Sequence, residues 1–324
     1  MNIYPWQGQS WRQLQGLRTQ GRMPHAIIVS GLTGTGVNDF VHTFANSLLC
    51  THPDIQGFAC GECASCHVRQ SGAHPDYSLL GVPEGKKQIP IDNVRSLNAH
   101  MTLSRSYSDY RVALVTPAEA MNQYSANSLL KTLEEPSPDS VMLLMTHKFS
   151  GLLPTIRSRC VHYVLDTPTE KQSLEWLSAQ ETKNDPKLLL ATANNKPLTA
   201  LSFDGDKDVL AKKAEFAHDL MNIMQANESI VGLGEKWQKY SFEQLLVWQI
   251  HWLETAIRTV HLQPERMPNK LIAQLLSKNP KVDTLWQHYD LLLQFRRLTD
   301  HPLNQQSFGE HMLSLWHQYS VSMT

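Results

Sequence analysis

Apolar residues in the first half of the chain fall into short unbroken runs separated by segments of helical spacing. Residues 26–29, 77–80, 112–116, 141–145 and 161–165 have the run length of strands, and several carry no polar position, as expected of strands buried on both faces. Between them, residues 10–18 are amphipathic, 39–49 carry apolar residues at helical spacing, Asp92 is placed to cap a helix through Val94, Leu97 and His100, and 125–135 present a Leu129, Leu130, Leu133 stripe that Pro136 stops. Strand and helix in alternation predict a parallel α/β domain over residues 1–165. The pattern then changes. Thr167-Pro168-Thr169-Glu170 reads as a capping box with proline at the first helical position, and Asp185-Pro186 and Lys196-Pro197-Leu198 open two more helices, so residues 166–205 form a small three-helix unit. Asp204-Gly205-Asp206 breaks the chain. Beyond it no strand alternation remains, and Trp, Leu and Ile stripes around 207–226, 242–260, 269–278, 281–298 and 307–320 predict an all-α domain over 206–324, built to pack on itself or on neighbours.

The first strand leads into Gly31-Leu-Thr-Gly34-Thr-Gly36-Val37-Asn38, the outline of a phosphate-binding loop. A working loop is Gly-x-x-x-x-Gly-Lys-Ser/Thr: backbone N–H groups cradle phosphates, the Lys reaches the β/γ-phosphates and the hydroxyl holds Mg²⁺. Gly31 and Gly36 keep the spacing, but Val37 stands in the Lys place and Asn38 in the hydroxyl place. The strand at 112–116 should end in an acidic pair that binds Mg²⁺ and polarises water; Thr116 and Pro117 occupy those places, and Glu119 lies beyond the strand end. Two motifs have lost their charges independently, so no functional ATP site and no hydrolysis are expected.

Lys plus Arg number 29 against 30 Asp plus Glu, a net charge of −1, so no global field draws the chain to nucleic acid or anionic lipid. Residues 1–7 lack a basic-then-apolar signal and no run approaches a membrane span, which predicts a soluble cytoplasmic protein. Four of the five cysteines lie within residues 50–66, a poor disulfide framework for so long a chain and a better metal site. Cys60, Cys63 and Cys66 are spaced so that a tight turn aims them at one ion, and Cys50 completes a closed tetrahedral set of the structural kind, for which zinc is the usual occupant. His52, His67 and His74 are alternative ligands. Only Arg69 is basic near the cysteines, against Glu62, so a nucleic-acid-binding zinc module is poorly supported.

Three stretches together carry a family resemblance: the cysteine insertion from Cys50 to Cys66 directly after the loop helix, Ala126-Asn-Ser-Leu-Leu-Lys-Thr-Leu-Glu-Glu-Pro136, and Ser158-Arg159-Cys160. They resemble the AAA+ subunits of bacterial replicative clamp loaders, and within that family the kind whose nucleotide loop is degraded. The resemblance is strong over residues 1–165, weaker over 166–205, and beyond 206 rests on helical character and length. It implies an AAA+ α/β domain, a small helical lid and a helical collar that joins the chain to ATPase subunits and a delta subunit in a hetero-oligomer that opens a sliding clamp and places it on primed DNA during replication. It also implies that Arg159, within its Ser158–Cys160 motif, acts in trans as an arginine finger on ATP bound by the adjacent ATPase subunit, with Arg157 a rival for the role. A planar, permanently charged fork suits phosphate oxygens. The competing expectation is a residual nucleotide-binding ATPase in which Lys131 or another cation replaces the lost Lys.

Overall fold

The computed structural model describes residues 3–205, 207–262, 270–278, 280–298 and 305–319. They divide into two compact units, Met1–Leu201 and Ser202–Thr324.

In the first unit, a short 3-10 turn at Pro5–Gln7 runs into helix α1 (Gly8–Thr19), whose Trp11 and Leu14 are buried. Strand β1 (Ala26–Ser30) follows, then α2 (Val37–Leu49), α3 (Ala64–Gln70), β2 (Tyr77–Leu80), α4 (Ile91–Met101), β3 (Arg111–Val115), α5 (Gln123–Glu134), β4 (Ser140–Thr146), a short α6 (Pro154–Arg157) and β5 (Val161–Val164). The strands form one sheet in the order β2-β3-β4-β1-β5, and every pairing is parallel. Strands β1, β3 and β4 are buried along their whole length, which is why the sequence gives them unbroken apolar runs; β5 is an edge strand with Val161 and Val164 exposed. Alternate side chains serve opposite faces. Ile27, Val29, Val112, Leu114, Leu143 and Met145 pack with Trp11 of α1 and with Phe40, Phe44 and Leu48 of α2. Ala26, Ile28, Ala113, Val115, Met142 and Leu144 pack with Val94 and Leu97 of α4 and with Leu129 and Leu133 of α5. Helices α2 and α5 therefore cover different faces of the sheet.

Four local expectations change. The loop helix begins at Val37, two positions before the expected Asp39, because Gly36 takes the left-handed conformation that caps it. Cys66 lies inside α3 and Cys63 is its N-cap, so the cysteine segment is a turn followed by a helix. Asp92 is not a cap: α4 starts at Ile91 behind Pro90, and the Asp92 carboxylate instead accepts from Arg95 at 3.0 Å. The capping box is Thr169 with Gln172, not Thr167 with Glu170, because the Thr169 hydroxyl reaches the Gln172 N–H and the Gln172 side chain returns to the Thr169 N–H.

That box opens α7 (Glu170–Ser178), followed by α8 (Pro186–Thr192) and α9 (Pro197–Gly205). Residue 206, part of the expected break, lies outside the described residues, as do 269 and 320 at the ends of two expected helical segments.

The second unit is helical throughout its described residues: α10 (Lys207–Met224), α11 (Ile230–Trp237), α12 (Phe242–Leu262), α13 (Lys270–Ser277), α14 (Val282–Leu298) and α15 (Gln305–His317). Its own core holds Phe216, Trp237, Trp252 and Trp316. Among the described residues no helix is long and apolar enough to cross a membrane.

Candidate functional site

The carboxyl end of β1 delivers the degenerate loop to the place where ligands sit in an open α/β sheet. Gly34 and Gly36 have φ of 79° and 85°, the left-handed region that favours glycine. Val37, the first residue of α2, is buried, and its Cγ2 stands 2.7 Å from where a Gly31 side chain would begin. An apolar branch thus folds back over the loop where a lysine would reach out. Asn38 accepts a hydrogen bond from the Thr116 hydroxyl at 3.2 Å, so the metal-binding pair of a working site is here two neutral groups bonded to each other. Glu119 returns toward the site through a short 3-10 turn: its Oε1 accepts from the His147 N–H at 3.0 Å, and His147 Nδ1 lies 3.0 Å from the Gly31 carbonyl.

The loop is also covered. Gln7 Nε2 donates to the carbonyls of Thr35 and Gly36 at 3.1 and 2.9 Å, and Trp6 Nε1 donates to Thr35 at 2.9 Å. The Tyr4 ring lies against Gly36, where an added Cβ would meet it at 2.3 Å, and its hydroxyl donates to Asp39 at 2.8 Å. Burial, then the Asp39 contact, push that hydroxyl up to about 12, so it remains a donor at neutral pH. On another side the Leu198 N–H donates to the Gly34 carbonyl at 3.1 Å, and Thr199 Oγ1 stands 2.2 Å from where a Gly34 Cβ would be. Trp176 of α7 packs edge-on against Tyr4 and Trp6 with centroids 5.6 and 5.8 Å away.

The cysteine prediction meets a defined cluster. The sulfurs of Cys50, Cys60, Cys63 and Cys66 all lie within 4.8 Å of one another. Cys50 is 3.6 Å from Cys60 and 3.9 Å from Cys63, and Cys60 is 4.0 Å from Cys66. Four thiolates at the zinc–sulfur bond length sit about 3.8 Å apart at the corners of a tetrahedron, so the spacing suits one ion. Backbone N–H groups of Cys60, Cys63 and Cys66 point at the sulfurs of Cys50, Cys60 and Cys63 at 3.3, 3.4 and 3.4 Å, contacts that stabilise thiolate charge. Burial works the other way and raises Cys50 and Cys66, the latter to about 12, whereas at Cys63 hydrogen bonds from Thr51 and the Cys66 N–H outweigh burial and bring it to about 5. A divalent cation is the group that would ionise all four together. Of the alternative ligands, His74 is spoken for: it is buried, its Nε2 lies 2.8 Å from Ser65 Oγ and its Nδ1 accepts from the Asp76 N–H at 3.0 Å. His52 Nδ1 bonds the Thr51 hydroxyl at 2.9 Å, and neither His52 nor His67 belongs to the cluster.

Arg159 lies between α6 and β5, half-buried, with its guanidinium on the last residue of α5: Nε donates to Glu134 Oε1 at 2.8 Å, and Nη1 to the Thr155 carbonyl at 2.9 Å. Ser158 Oγ accepts from Nη1 at 3.3 Å. Cys160 is half-buried and burial pushes its thiol up to about 12, so it packs as a neutral side chain. Arg157 faces elsewhere: its guanidinium lies 5.3 Å above the Phe149 ring, which stacks on His162 at 3.8 Å. Lys131 is exposed on α5, which covers the sheet face opposite to α2.

A model of the family described as DNA polymerase III, delta subunit, matches residues 6–169, the stretch that holds the loop, the cysteines and Arg159. DNA polymerase III subunit delta′ of Pseudomonas aeruginosa is 38% identical over 255 residues, covering 78% of this chain and 76% of that protein. The chain belongs to the delta-prime family of DNA polymerase III subunits. The delta′ subunits of Haemophilus influenzae and Escherichia coli are each 35% identical, over 61% and 64% of this chain, and the matched stretches span 61% and 62% of their lengths. In outline the chain is also similar to a DNA polymerase III gamma subunit-related protein of Thermotoga maritima, with a TM-score of 0.47 at 17% identity over 95% of this chain and 100% of that one.

In this delta-prime member nothing local in the sequence marks Tyr4, Trp6 and Gln7 as part of the site. Two aromatics around a proline, ahead of an amphipathic segment, were visible, but their partners lie 28 to 35 positions away, beyond any local periodicity. Glu134 was missed for the same reason: it stands 25 positions from Arg159.

Proposed function

We propose that this chain is a non-hydrolysing delta-prime subunit of the DNA polymerase III clamp loader, a cytoplasmic AAA+ subunit that contributes Arg159 to the nucleotide site of a neighbouring ATPase subunit. The observation that carries this is the loop itself: Val37 fills the cation's place, Asn38 and Thr116 bond each other in the metal's place, and Tyr4, Trp6 and Gln7 lie over the glycines. A site that can neither neutralise a γ-phosphate nor hold Mg²⁺ lacks the groups on which phosphoryl transfer depends. What remains is a partner's role. Arg159 offers a permanently charged fork on a short turn beside an edge strand, and a guanidinium placed on a partner's γ-phosphate offsets the charge that builds there in the transition state. The ATPase subunits and delta are the expected partners, through the helical second unit, with clamp and primed DNA met through the assembly. Cys50, Cys60, Cys63 and Cys66 would hold a structural zinc ion, which supplies no reaction step: their closed set fixes a segment with almost no apolar core.

The test is DNA-stimulated ATP hydrolysis by a loader reconstituted with its ATPase and delta subunits, clamp and primed DNA, comparing wild type with Arg159→Ala at equal assembly. A fall of about tenfold or more, about 1.4 kcal/mol of barrier, is expected with the complex intact. An unchanged rate would remove Arg159 from the reaction, and tight Mg·ATP binding by the isolated chain would overturn the silent-loop reading.

A further inference from the structure

Helix α5 ends in Glu134, with Glu135 as its C-cap. Carboxylates are disfavoured at that end, where unpaired carbonyls already concentrate negative charge, and a cation such as Lys131 in the last turn is the favoured sign. Packing does not require Glu134: its side chain is 50% exposed. Its carboxylate meets Arg159 through two nitrogens, Nε at 2.8 Å and Nη2 at 2.5 Å, both on Oε1. Nη1 gives its two hydrogens to the Thr155 carbonyl at 2.9 Å and to Ser158 Oγ at 3.3 Å, so with Nε the hydrogen bonds account for three of the five guanidinium N–H groups. The weakest is to a hydroxyl that can rotate, and the two N–H groups of Nη2 lie outside these bonds, its approach to Oε1 being an ion-pair contact. The carboxylate therefore holds the Nε edge while the Nη end keeps the N–H groups most easily turned to an outside acceptor.

We propose that Glu134 is a positioning residue for Arg159: by gripping the Nε edge it orients the Nη end for the phosphate oxygens of a nucleotide held on a neighbouring subunit. A long arginine side chain loses much rotamer freedom when it is fixed, and a grip already made within this chain removes that loss from the step in which the phosphate is met. The proposal rests on the arginine-finger reading, and the experiment separates the two. Loaders are reconstituted with wild type, Glu134→Ala, Glu134→Gln, Arg159→Ala and the double variant Glu134→Ala/Arg159→Ala, with ATPase and delta subunits, clamp and primed DNA. Glu134→Ala is expected to lower kcat by about threefold to tenfold with KM for ATP within about twofold, the pattern of a group that acts only in the transition state. Glu134→Gln, which keeps an acceptor oxygen but not the charge, falls between. The double variant should be no slower than Arg159→Ala alone, because a group acting through Arg159 has nothing left to orient. Thermal unfolding of the isolated chain is expected to be unmoved by Glu134→Ala, since a carboxylate leaves the wrong helix end as an exposed pair is lost. An equal further loss in the double variant, or an unchanged or faster rate for Glu134→Ala while Arg159→Ala is slow, would overturn the positioning role. A wild-type rate for Arg159→Ala would sink the finger reading, and this proposal with it.

Discussion

Asp76 has no exposed surface, and its carboxylate accepts from the N–H groups of Ser106, Tyr107 and Ser108 at 2.8, 2.7 and 2.9 Å and from Arg111 Nη2 at 3.3 Å. Arg111, 2% exposed, also donates to the Pro75 and Ser104 carbonyls. A buried charge this well surrounded is stable only while every partner stays. Burial alone would raise the Asp76 pKa, but the backbone N–H groups, then Arg111, outweigh it and hold the acid below its ordinary range. The sign follows: a depressed folded pKa adds stability that is present above the free value of about 3.9 and is lost as the pH falls through the lower folded value. Asp76→Asn is expected to cost about 3 kcal/mol at neutral pH, by leaving Arg111 buried and unpaired, and to flatten the acid limb of stability below about pH 4. Urea unfolding of the two proteins at neutral pH and at pH 3 measures both; equal acid sensitivity would show that Asp76 is not the group that titrates.

At the scale of elements, the loop between β1 and α2 is closed by a segment that sequence spacing does not connect to it. Gly36 has φ +85° and its missing side chain leaves room for the Tyr4 ring. Gly36→Ala is expected to cost roughly 2–4 kcal/mol, summing left-handed strain and overpacking, and Tyr4→Ala in the same chain should recover the overpacking share. Chemical denaturation of the two singles and the double decides it: strictly additive losses would mean that Tyr4 does not rest on the loop. How far such features could be read beforehand depends on how local their causes are. Strands β1, β3 and β4 were legible because burial on both faces leaves only apolar residues, and the cysteine cluster because ligand spacing is a local requirement. Helix α11 was not, because Gly232 and Gly234 look like breakers; at Gly234 the reason for glycine is tertiary, since a Cβ there would stand 2.8 Å from Glu310 of α15. Asp92 carried a cap signal, but the helix starts one residue ahead of it, at Ile91, with Pro90 extended at the N-cap.

Across the whole molecule, the two units hold separate apolar cores, and only the first carries the four clustered cysteines. That difference makes metal removal a spatially resolved test. Residues 50–66 contribute few buried apolar groups, Cys50 and Cys66 among them, whereas metal binding in small modules is worth on the order of 10 kcal/mol. The cluster is tied to the sheet through one polar chain: Ser65, next to Cys66 on α3, donates to the Leu49 carbonyl at 2.6 Å and meets His74 Nε2 at 2.8 Å and Ser108 Oγ at 3.1 Å, and Ser108 leads to Asp76. His74 is kept neutral, chiefly by burial, which suits its acceptance of the Asp76 N–H. If the four sulfurs hold an ion, stripping it with a chelator and a thiol-reactive mercurial frees like charges or thiols packed within 4.8 Å, and the loss should pass along that chain. Hydrogen exchange is then expected to speed up first in residues 50–77 and 104–111, while α10 and α12, whose core contains no cysteine, keep their protection. Metal content measured on the same samples should fall from about one ion per chain to none. Exchange that stays unchanged on stripping would mean that the sheet carries the segment without metal, and an equal loss of protection in α10 and α12 would mean that the effect is general unfolding and not the release of a local clamp.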